Sequence, residues 1–258
     1  MATARIPKDT PPTDRGSPAL AYFLYALSAV LGAGSLVVFA IFLYMGPFHV
    51  VDFELSPSGI LAFDAALSLA FFLQHSAMTR SGFRRRLSSV IREPYHPAIY
   101  SAASGAVVLI VVMLWQDSEW TLVSVQGGAR WLLRGAYLAA GAGFLWGSRA
   151  LGKLDTFGLK AIMRDLRSRK PREMSFTLRG PYRWVRHPLY LFTLVLFWSC
   201  PDLTADRLLF NVSWTAWIFL GTVLEERDLV EVFGESYREY QRDVPMIVPL
   251  RLRSIRRQ

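Results

Sequence analysis

The sequence predicts an all-α integral membrane protein with about six transmembrane helices. Of its 258 residues, 52% are hydrophobic and only 19% are charged, and the mean hydropathy is positive. This composition is too apolar for an ordinary soluble domain. Long uncharged stretches recur along the chain, and the segments between them alternate between basic and acidic or neutral. These observations predict a small multi-pass protein with its N and C termini in the cytoplasm.

Four apolar stretches lie in the first part of the chain. Residues 21–45 contain no charge over 25 positions, which is long enough to cross the hydrocarbon core of a bilayer. Residues 59–75 form a second predicted span that only Asp64 interrupts. Residues 99–115 form a third, and residues 131–151, with Arg134 near the start, form a fourth. We therefore predict a four-helix transmembrane region within residues 21–151, after a polar N-terminal tail of residues 1–20.

The last two apolar stretches predict a C-terminal helical hairpin. Residues 189–199 provide about half a span and residues 208–224 provide a full one. Cys200, Pro201 and Asp202 lie between them. The short arm must recruit residues 182–187 or stay partly re-entrant to reach across the bilayer.

The connecting segments predict the orientation. Residues 46–58 and 116–130 contain acidic side chains and, apart from Arg130, no lysine or arginine. By contrast, residues 79–98 carry five arginines and residues 152–187 carry ten lysines and arginines, and residues 250–258 form a basic tail. Because positive segments stay on the cytoplasmic side, the basic segments and both termini are predicted to be cytoplasmic.

The basic segments also suit nucleic acid or anionic lipid. A simpler explanation of the basic segments is that their positive charges lie beside lipid head groups and keep these segments in the cytoplasm. We therefore expect contact with membrane lipid and no nucleic-acid partner. The single cysteine, Cys200, excludes a disulfide within the chain and a cysteine-based metal site. The sequence also offers no histidine cluster with metal-ligand spacing, so we expect no bound metal.

The sequence Arg-Gly-Pro-Tyr-Arg-Trp-Val-Arg-His-Pro-Leu-Tyr at residues 179–190, which we call the basic corner, is the most distinctive stretch. His187 followed by Pro188 predicts a helix start, because proline is tolerated in the first helical turn. The free N–H groups of such a start, together with Arg186 and His187, form an arrangement suited to an anion.

Acidic residues follow the second arm of the hairpin. Glu225 and Glu226 lie at the end of the last predicted span, at the same depth as His187, so the hairpin brings them to the basic corner. A solvated helix end is the alternative for these two residues alone. Further on, Tyr237 and Tyr240 lie three apart in an amphipathic segment. It is either an interfacial helix or a lid over the basic corner.

Three blocks occur in order along the chain: the basic corner, the two glutamates and the amphipathic tyrosine segment. In this order they resemble the isoprenylcysteine carboxyl methyltransferase superfamily of integral membrane enzymes that use S-adenosylmethionine. The sequences Gln-His-Ser-Ala-Met-Thr-Arg at residues 74–80 and Leu-Asp-Thr-Phe-Gly-Leu at residues 154–159 narrow the resemblance. They are similar to the bacterial methanethiol S-methyltransferase branch, which makes dimethyl sulfide, with NnrU-like membrane proteins as relatives. The resemblance spans residues 61–249 and implies a methyltransferase core at residues 152–249 in the bacterial inner membrane, with the active site facing the cytoplasm.

The resemblance implies a set of S-adenosylmethionine contacts in this chain: Tyr182, His187, Pro188, Leu189, Tyr190 and Glu225. Glu226, Tyr237 and Thr177, the last within a loosely aligned segment at 174–177, are further candidates. Two positions depart from the pattern. Phe192 replaces a glycine, which would narrow any groove there, and Gly221 stands where the eukaryotic enzymes have a substrate-binding arginine. A substrate carboxylate would bind to that arginine, so the absence of the arginine disfavours a prenylcysteine acceptor.

The residue types fit methyl transfer to a small thiol, with methanethiol as the leading acceptor. The helix start suits the carboxylate of S-adenosylmethionine, Glu225 suits its ammonium or sulfonium, and tyrosine rings suit the adenine or the sulfonium. A thiol reacts as thiolate, which Arg186 would favour as the candidate catalytic residue. A lipid-linked acceptor and a non-catalytic NnrU-like accessory protein are the alternatives.

Overall fold

The computed structural model describes residues 17–151, 157–167 and 178–249, and these are mostly helical. The polar N-terminal tail, apart from residues 17–20, the basic tail at 250–258 and the candidate Thr177 lie outside the described residues. The α-helices are α1 (Pro18–Leu27), α2 (Gly34–Met45), α3 (Pro57–Thr79), α4 (Ser81–Ser88), α5 (His96–Leu114), α6 (Gly127–Leu151), α7 (Leu159–Leu166), α8 (Pro188–Trp198), α9 (Ala205–Phe233) and α10 (Glu235–Asp243). A π-helical segment, Ser28–Ala33, joins α1 to α2, and 3₁₀ turns occupy Glu93–Tyr95 and Gly180–Arg183.

Four helices in the described part of the chain are long and apolar enough to cross a membrane. They are Pro18–Met45, Pro57–Thr79, Glu93–Leu114 and Ala205–Phe233. They contain the predicted spans at 21–45, 59–75 and 208–224, and the one at 99–115 apart from its last residue, Trp115. Helix α8 is apolar but short, as its sequence predicts. The predicted span at 131–151 lies within α6, which has 25 residues and is less apolar because it carries arginines. The chain is therefore a helical membrane protein.

Prolines lie in the first turn of α1, α3, α5 and α8. Pro57 opens α3, where the Ser56 hydroxyl also accepts a hydrogen bond from the backbone N–H of Gly59 at 3.2 Å. Pro97 lies in the first turn of α5, and Pro188 opens α8. Proline suits these positions because its missing N–H would have no partner inside the helix. The His-Pro step predicted to begin a helix therefore begins α8.

An aromatic core joins the long helices. Phe42 of α2, Trp115 at the end of α5, Phe197 of α8 and Phe210 and Trp214 of α9 are buried together. The rings of Phe210 and Trp214 stack at 4.7 Å between centroids. Aromatic pairs of this kind contribute about 0.5–1.5 kcal/mol each beyond the area that they bury. The core fixes α9 against its neighbours and so sets the position of the carboxylates further along that helix.

Two short strands are the exception to the predicted all-α fold. β1 (Thr121–Ser124) pairs antiparallel with β2 (Asp202–Thr204), in segments that the sequence predicted as loops. The guanidinium of Arg130 binds the Asp202 carboxylate at 2.5 and 3.0 Å beside them. Backbone pairing satisfies N–H and C=O groups that two neighbouring loops would otherwise leave to solvent. The pair ties the α5–α6 connection to the α8–α9 connection.

Helix α9 is longer than the predicted span. It continues to Phe233, two turns beyond Glu225 and Glu226, and ends where Gly234 adopts a φ of +59°. Glycine adopts this conformation without the steric cost that a side chain adds. The two glutamates therefore lie inside a helix rather than where one ends. The turn at Gly234 then directs the amphipathic segment into α10.

Candidate active site

The basic corner is a 3₁₀ turn followed by the start of α8. Gly180 opens the turn with a φ of +54°. A Cβ atom at this glycine would lie 2.9 Å from the Cβ of Ala150, so a larger residue would meet both backbone strain and α6. At the other end, His187 precedes Pro188, the first residue of α8. Glycine and proline thus set the two bends that turn this stretch toward α9.

Arg186 and Glu226 form a buried ion pair between the basic corner and α9. The Nε and Nη2 atoms of Arg186 donate to the two carboxylate oxygens of Glu226 at 2.5 and 2.9 Å. Nη1 donates to the backbone carbonyls of Gln241, at 3.0 Å, and Val244. The side chains of Arg186 and Glu226 are only 9% and 11% exposed. This bidentate geometry uses all three guanidinium nitrogens to hold α8, α9 and the segment after α10 together.

His187 lies between the two glutamates. Its Nε2 atom is 3.1 Å from a Glu226 oxygen, and its Nδ1 atom is 3.7 Å from a Glu225 oxygen. The imidazole ring stacks on the Tyr190 ring with centroids 5.4 Å apart and planes at 10°. The carboxylates on one edge and the aromatic ring on one face hold the imidazole in place.

Glu225 differs from its neighbour in its environment. The Tyr190 hydroxyl donates to a Glu225 oxygen at 2.7 Å, yet 44% of the Glu225 side chain stays exposed. Burial raises the pKa of the Tyr182 hydroxyl, and the charge of Glu225 raises it further, so that hydroxyl remains a donor at neutral pH. A half-exposed carboxylate bordered by tyrosines is suited to a positively charged ligand.

The segment after α10 closes the basic corner from outside. We call residues 244–247 the clasp. The backbone N–H groups of Arg186 and His187 donate to the carbonyls of Pro245 and Met246 at 2.9 and 3.0 Å. The Tyr240 hydroxyl of α10 donates to the Tyr182 carbonyl at 2.5 Å. Tyr237 and Tyr240 are both buried, so α10 covers the basic corner with its aromatic face.

The structure brings nearly all of the predicted site residues together. Tyr182, Arg186, His187, Tyr190, Glu225, Glu226 and Tyr237 surround the junction of the basic corner with α9 and α10. Pro188 is buried at the start of α8, and the Leu189 side chain packs beside Gly147 of α6. The segment 174–177 is not described. The hairpin prediction that α8 and α9 meet at this depth accounts for the juxtaposition.

Gln241, which contacts the candidate site, and the pair formed by His75 and Tyr100 were not singled out from the sequence. The Gln241 amide donates to Glu226 at 3.0 Å. The signal for it is its spacing, because it follows Tyr237 by one helical turn on the same face. His75 was noted within a motif but given no role, and its partner lies 25 residues further along the chain, beyond the reach of local patterns.

The two departures from the family pattern have different surroundings. The Phe192 ring lies against α6 at Gly143, where a Cβ atom would come within 2.4 Å of it. Within the described residues, a Cβ atom at Gly221 would meet nothing within 4 Å. Phe192 therefore fills space that a glycine leaves between α6 and α8, and α9 has open space one turn before Glu225. The narrowing of a groove by Phe192 stays a prediction.

The donor set fits an organic cation better than a metal ion. Among residues 17–151, 157–167 and 178–249, no group of three or more His, Cys, Asp or Glu side chains could hold a metal ion. Glu225 offers negative charge, and the tyrosines offer ring faces and hydroxyl donors. A ligand with an ammonium or sulfonium group, an aromatic ring and a carboxylate would find partners here.

Comparison with known proteins gives a consistent set of relatives. Over 197 residues the chain is 36% identical to a methanethiol S-methyltransferase from Pseudomonas deceptionensis, covering 73% of this chain and 72% of that protein. It is 31% identical over 180 residues to one from Mycobacterium tuberculosis, covering 69% and 74%. It is 29% identical over 245 residues to methanethiol S-methyltransferase 1 of Bradyrhizobium diazoefficiens, covering 89% and 82%. No family model and no solved structure matches the chain.

Proposed function

Since the chain belongs to the methanethiol S-methyltransferase family, we propose that it transfers a methyl group from S-adenosylmethionine to methanethiol, giving dimethyl sulfide. The observation that carries this proposal is the half-exposed Glu225 carboxylate of α9, 2.7 Å from the Tyr190 hydroxyl at the end of the basic corner.

S-adenosylmethionine supplies a methyl group on a positively charged sulfur, so the protein needs to position it and exclude water rather than form a covalent intermediate. Glu225 is proposed to hold the ammonium or sulfonium charge, with the rings of Tyr182 and Tyr190 against the same charge. The backbone N–H groups at the start of α8, beside His187, Pro188 and Leu189, are proposed to hold the carboxylate. Tyr237 of α10 is proposed to border the same ligand, and Glu226 of α9 to hold His187 beside it.

Arg186 is better assigned to positioning than to the reaction. As a catalytic residue it would stabilise a thiolate, but its guanidinium already binds Glu226, Gln241 and Val244. A cation neutralised by a buried carboxylate attracts a second anion weakly. We propose that Arg186 sets the distance between the basic corner and α9, and that Glu226 serves the same purpose from the other side.

We further propose six membrane crossings, with the active site and both termini on the cytoplasmic side of the bacterial inner membrane. Helix α6 has 25 residues, which gives roughly 37 Å of helix, more than the hydrocarbon thickness. The alternation of basic and acidic connections supports the orientation. The orientation is tested with single cysteines at exposed Val90 and Trp120 in a Cys200→Ser background. A cysteine at position 90 should react with an impermeant thiol reagent only in inverted vesicles. A cysteine at position 120 should react only in intact spheroplasts.

The function is tested in cells that lack this activity. Cells expressing the chain are given methanethiol, and dimethyl sulfide is measured in the headspace, with a Glu225→Gln variant as the matched control. Product in the first culture and little in the second supports the proposal. S-adenosylmethionine binding without dimethyl sulfide formation would instead favour a lipid-linked or prenylcysteine-type acceptor. Gly221 leaves open space for such an acceptor but offers no cation for a carboxylate. No binding at all would favour a non-catalytic accessory protein.

A further inference from the structure

His75 and Tyr100 form a polar pair inside the helical bundle. His75 lies near the end of α3 and Tyr100 near the start of α5. The Tyr100 oxygen is 2.7 Å from Nε2 and 3.2 Å from Nδ1 of His75. Both side chains are partly buried, and the buried Ser104 lies one turn further along α5. Polar groups inside a membrane protein are costly and are usually functional.

This pair borders the same space as Glu225. Helix α3 runs beside α9 in the same direction, since the Trp214 indole donates to the Ser68 hydroxyl at 3.1 Å and the Phe72 ring stacks on the Trp217 ring at 4.6 Å. His75, one turn after Phe72, therefore lies toward the Glu225 end of α9, and the Glu225 charge acts on the Tyr100 hydroxyl as well. Since Tyr190 binds Glu225 directly, the pair from α3 and α5 lies across from the residues of α8 and α9. Four helices therefore meet around one polar region.

A thiol acceptor requires something that the basic corner lacks. Only the thiolate is strongly nucleophilic, and a thiol in an apolar setting keeps its proton. Glu226 is occupied by Arg186, His187 and Gln241, and Glu225 faces the proposed cation. Among the described side chains around this region, His75 can accept a proton in its neutral form, and unlike His187 it is held by a hydroxyl group and not by carboxylates.

We propose that His75 takes the proton of the thiol acceptor as the methyl group is transferred, and that Tyr100 orients it. This inference rests on the proposed function. In the step, the thiol sulfur attacks the methyl carbon and the S–H bond breaks, its proton passing to the imidazole. The bond between the methyl carbon and the sulfonium sulfur breaks, and its electron pair stays on that sulfur. The products are a thioether, S-adenosylhomocysteine with a neutral sulfur, and an imidazolium. The imidazolium then returns its proton to water.

Tyr100 acts in this proposal through His75. The Tyr100 oxygen lies closer to Nε2 than to Nδ1, so Nε2 is taken to carry the hydrogen and donate to it, and the Nδ1 lone pair is the one that faces the thiol. Tyr100 is a positioning residue because it contacts the base rather than the reacting atoms.

The first test measures turnover of the full-length protein against pH. His75→Gln should lower kcat/KM for methanethiol by about 10²- to 10⁴-fold, the usual contribution of a general base. The variant's rate should rise about tenfold for each pH unit, because only preformed thiolate reacts, while the wild-type rate stays nearly flat. His96→Gln is the matched control, since His96 is held by the Ile91 carbonyl at 2.9 Å and not by Tyr100. Affinity for S-adenosylmethionine should be unchanged in both variants.

Other titratable groups on the neighbouring elements also contribute to the pH profile. They are Tyr100 on α5, Tyr190 and His187 at α8, Glu225 and Glu226 on α9, and the exposed Arg84–Arg86 on α4. Their contributions are common to the wild type and to His75→Gln, so the difference between the two profiles isolates His75. Near-normal turnover in the variant, or a loss that does not recover with pH, would overturn the proposal. Tyr100→Phe, which keeps the ring, should lose about tenfold and retain the flat profile.

The second test does not require turnover. The chain has four histidines, so the ¹⁵N imidazole signals of His75 can be assigned as those missing from His75→Gln. With S-adenosylhomocysteine bound, added methanethiol should shift the His75 signals. A shift without dimethyl sulfide formation would refute the proposed function and leave the thiol subsite standing. Dimethyl sulfide formation without a shift would refute the subsite alone.

Discussion

Glu225 and Glu226 are neighbours in sequence with opposite predicted roles. Glu226→Gln removes the carboxylate that binds Arg186 through two hydrogen bonds, and Glu225→Gln removes the one that faces the proposed cation. Both substitutions keep the size of the side chain. We expect the first to lower the stability of the protein and the second to lower its affinity for S-adenosylmethionine.

The magnitudes follow from burial. Breaking a buried pair costs about 3–5 kcal/mol, and we take about 3 because the carbonyls of Gln241 and Val244 still accept from Arg186. At roughly 2–4 °C per kcal/mol, Tm should fall by about 6–12 °C. Glu225→Gln should change stability by only about 0.5 kcal/mol. Losing a charged partner of the ligand, worth about 1.5–3 kcal/mol, should weaken binding roughly 10- to 150-fold.

Both quantities are measured on purified protein in detergent. Tm is read from intrinsic tryptophan fluorescence, and the dissociation constant from equilibrium dialysis with labelled S-adenosylmethionine. Glu231→Gln, an exposed substitution on the same helix, serves as the control and should change neither. The reasoning would be refuted if Glu226→Gln kept its Tm while losing binding, or if Glu225→Gln unfolded the protein. Either result would mean that the two carboxylates exchange roles.

Two further predictions concern the scaffold. Gly158→Ala should lower Tm in the same assay by several degrees, because Gly158 has a φ of +72° and a Cβ atom there would lie 2.3 Å from the backbone nitrogen of Ala98. The pKa of the Asp202 carboxyl lies below its ordinary value of 3.8, because Asp202 forms a hydrogen bond and an ion pair with Arg130. The wild type should therefore lose the stability that this pair contributes as the pH falls through that range. Asp202→Asn should lose less stability between neutral and acid pH. Equal acid sensitivity in both proteins would contradict this assignment.

Hydropathy and motif spacing predicted the parts of this protein that depend on local sequence. Four apolar stretches became helices of membrane-crossing length because hydrocarbon thickness dictates both their length and their composition. The meeting of His187 with the two glutamates followed from the hairpin, since antiparallel arms begin and end at the same depth. These inferences needed no knowledge of side-chain packing.

Other features depend on contacts that periodicity does not encode. Nothing local distinguishes Glu225 from Glu226, and only the position of Arg186 decides which one is buried. The pairing of β1 with β2 joins segments far apart in the chain, and each is too short to carry a strand pattern. Tyr100 lies at the start of the same kind of apolar helix as Tyr190, so its place near Glu225 emerges only from the packing of α3 against both α5 and α9.

The clasp has a consequence for the order of assembly during synthesis. Arg186 finds one of its partners, the Val244 carbonyl, 58 residues later in the chain. The two arms of the hairpin can enter the bilayer while that partner is still unmade, because chains fold progressively from the N-terminal side. Bundle insertion and site completion are thus separate events. A protein halted between them would be membrane-integrated, helical and resistant to extraction, yet its candidate active site would lack the outer wall that the clasp provides.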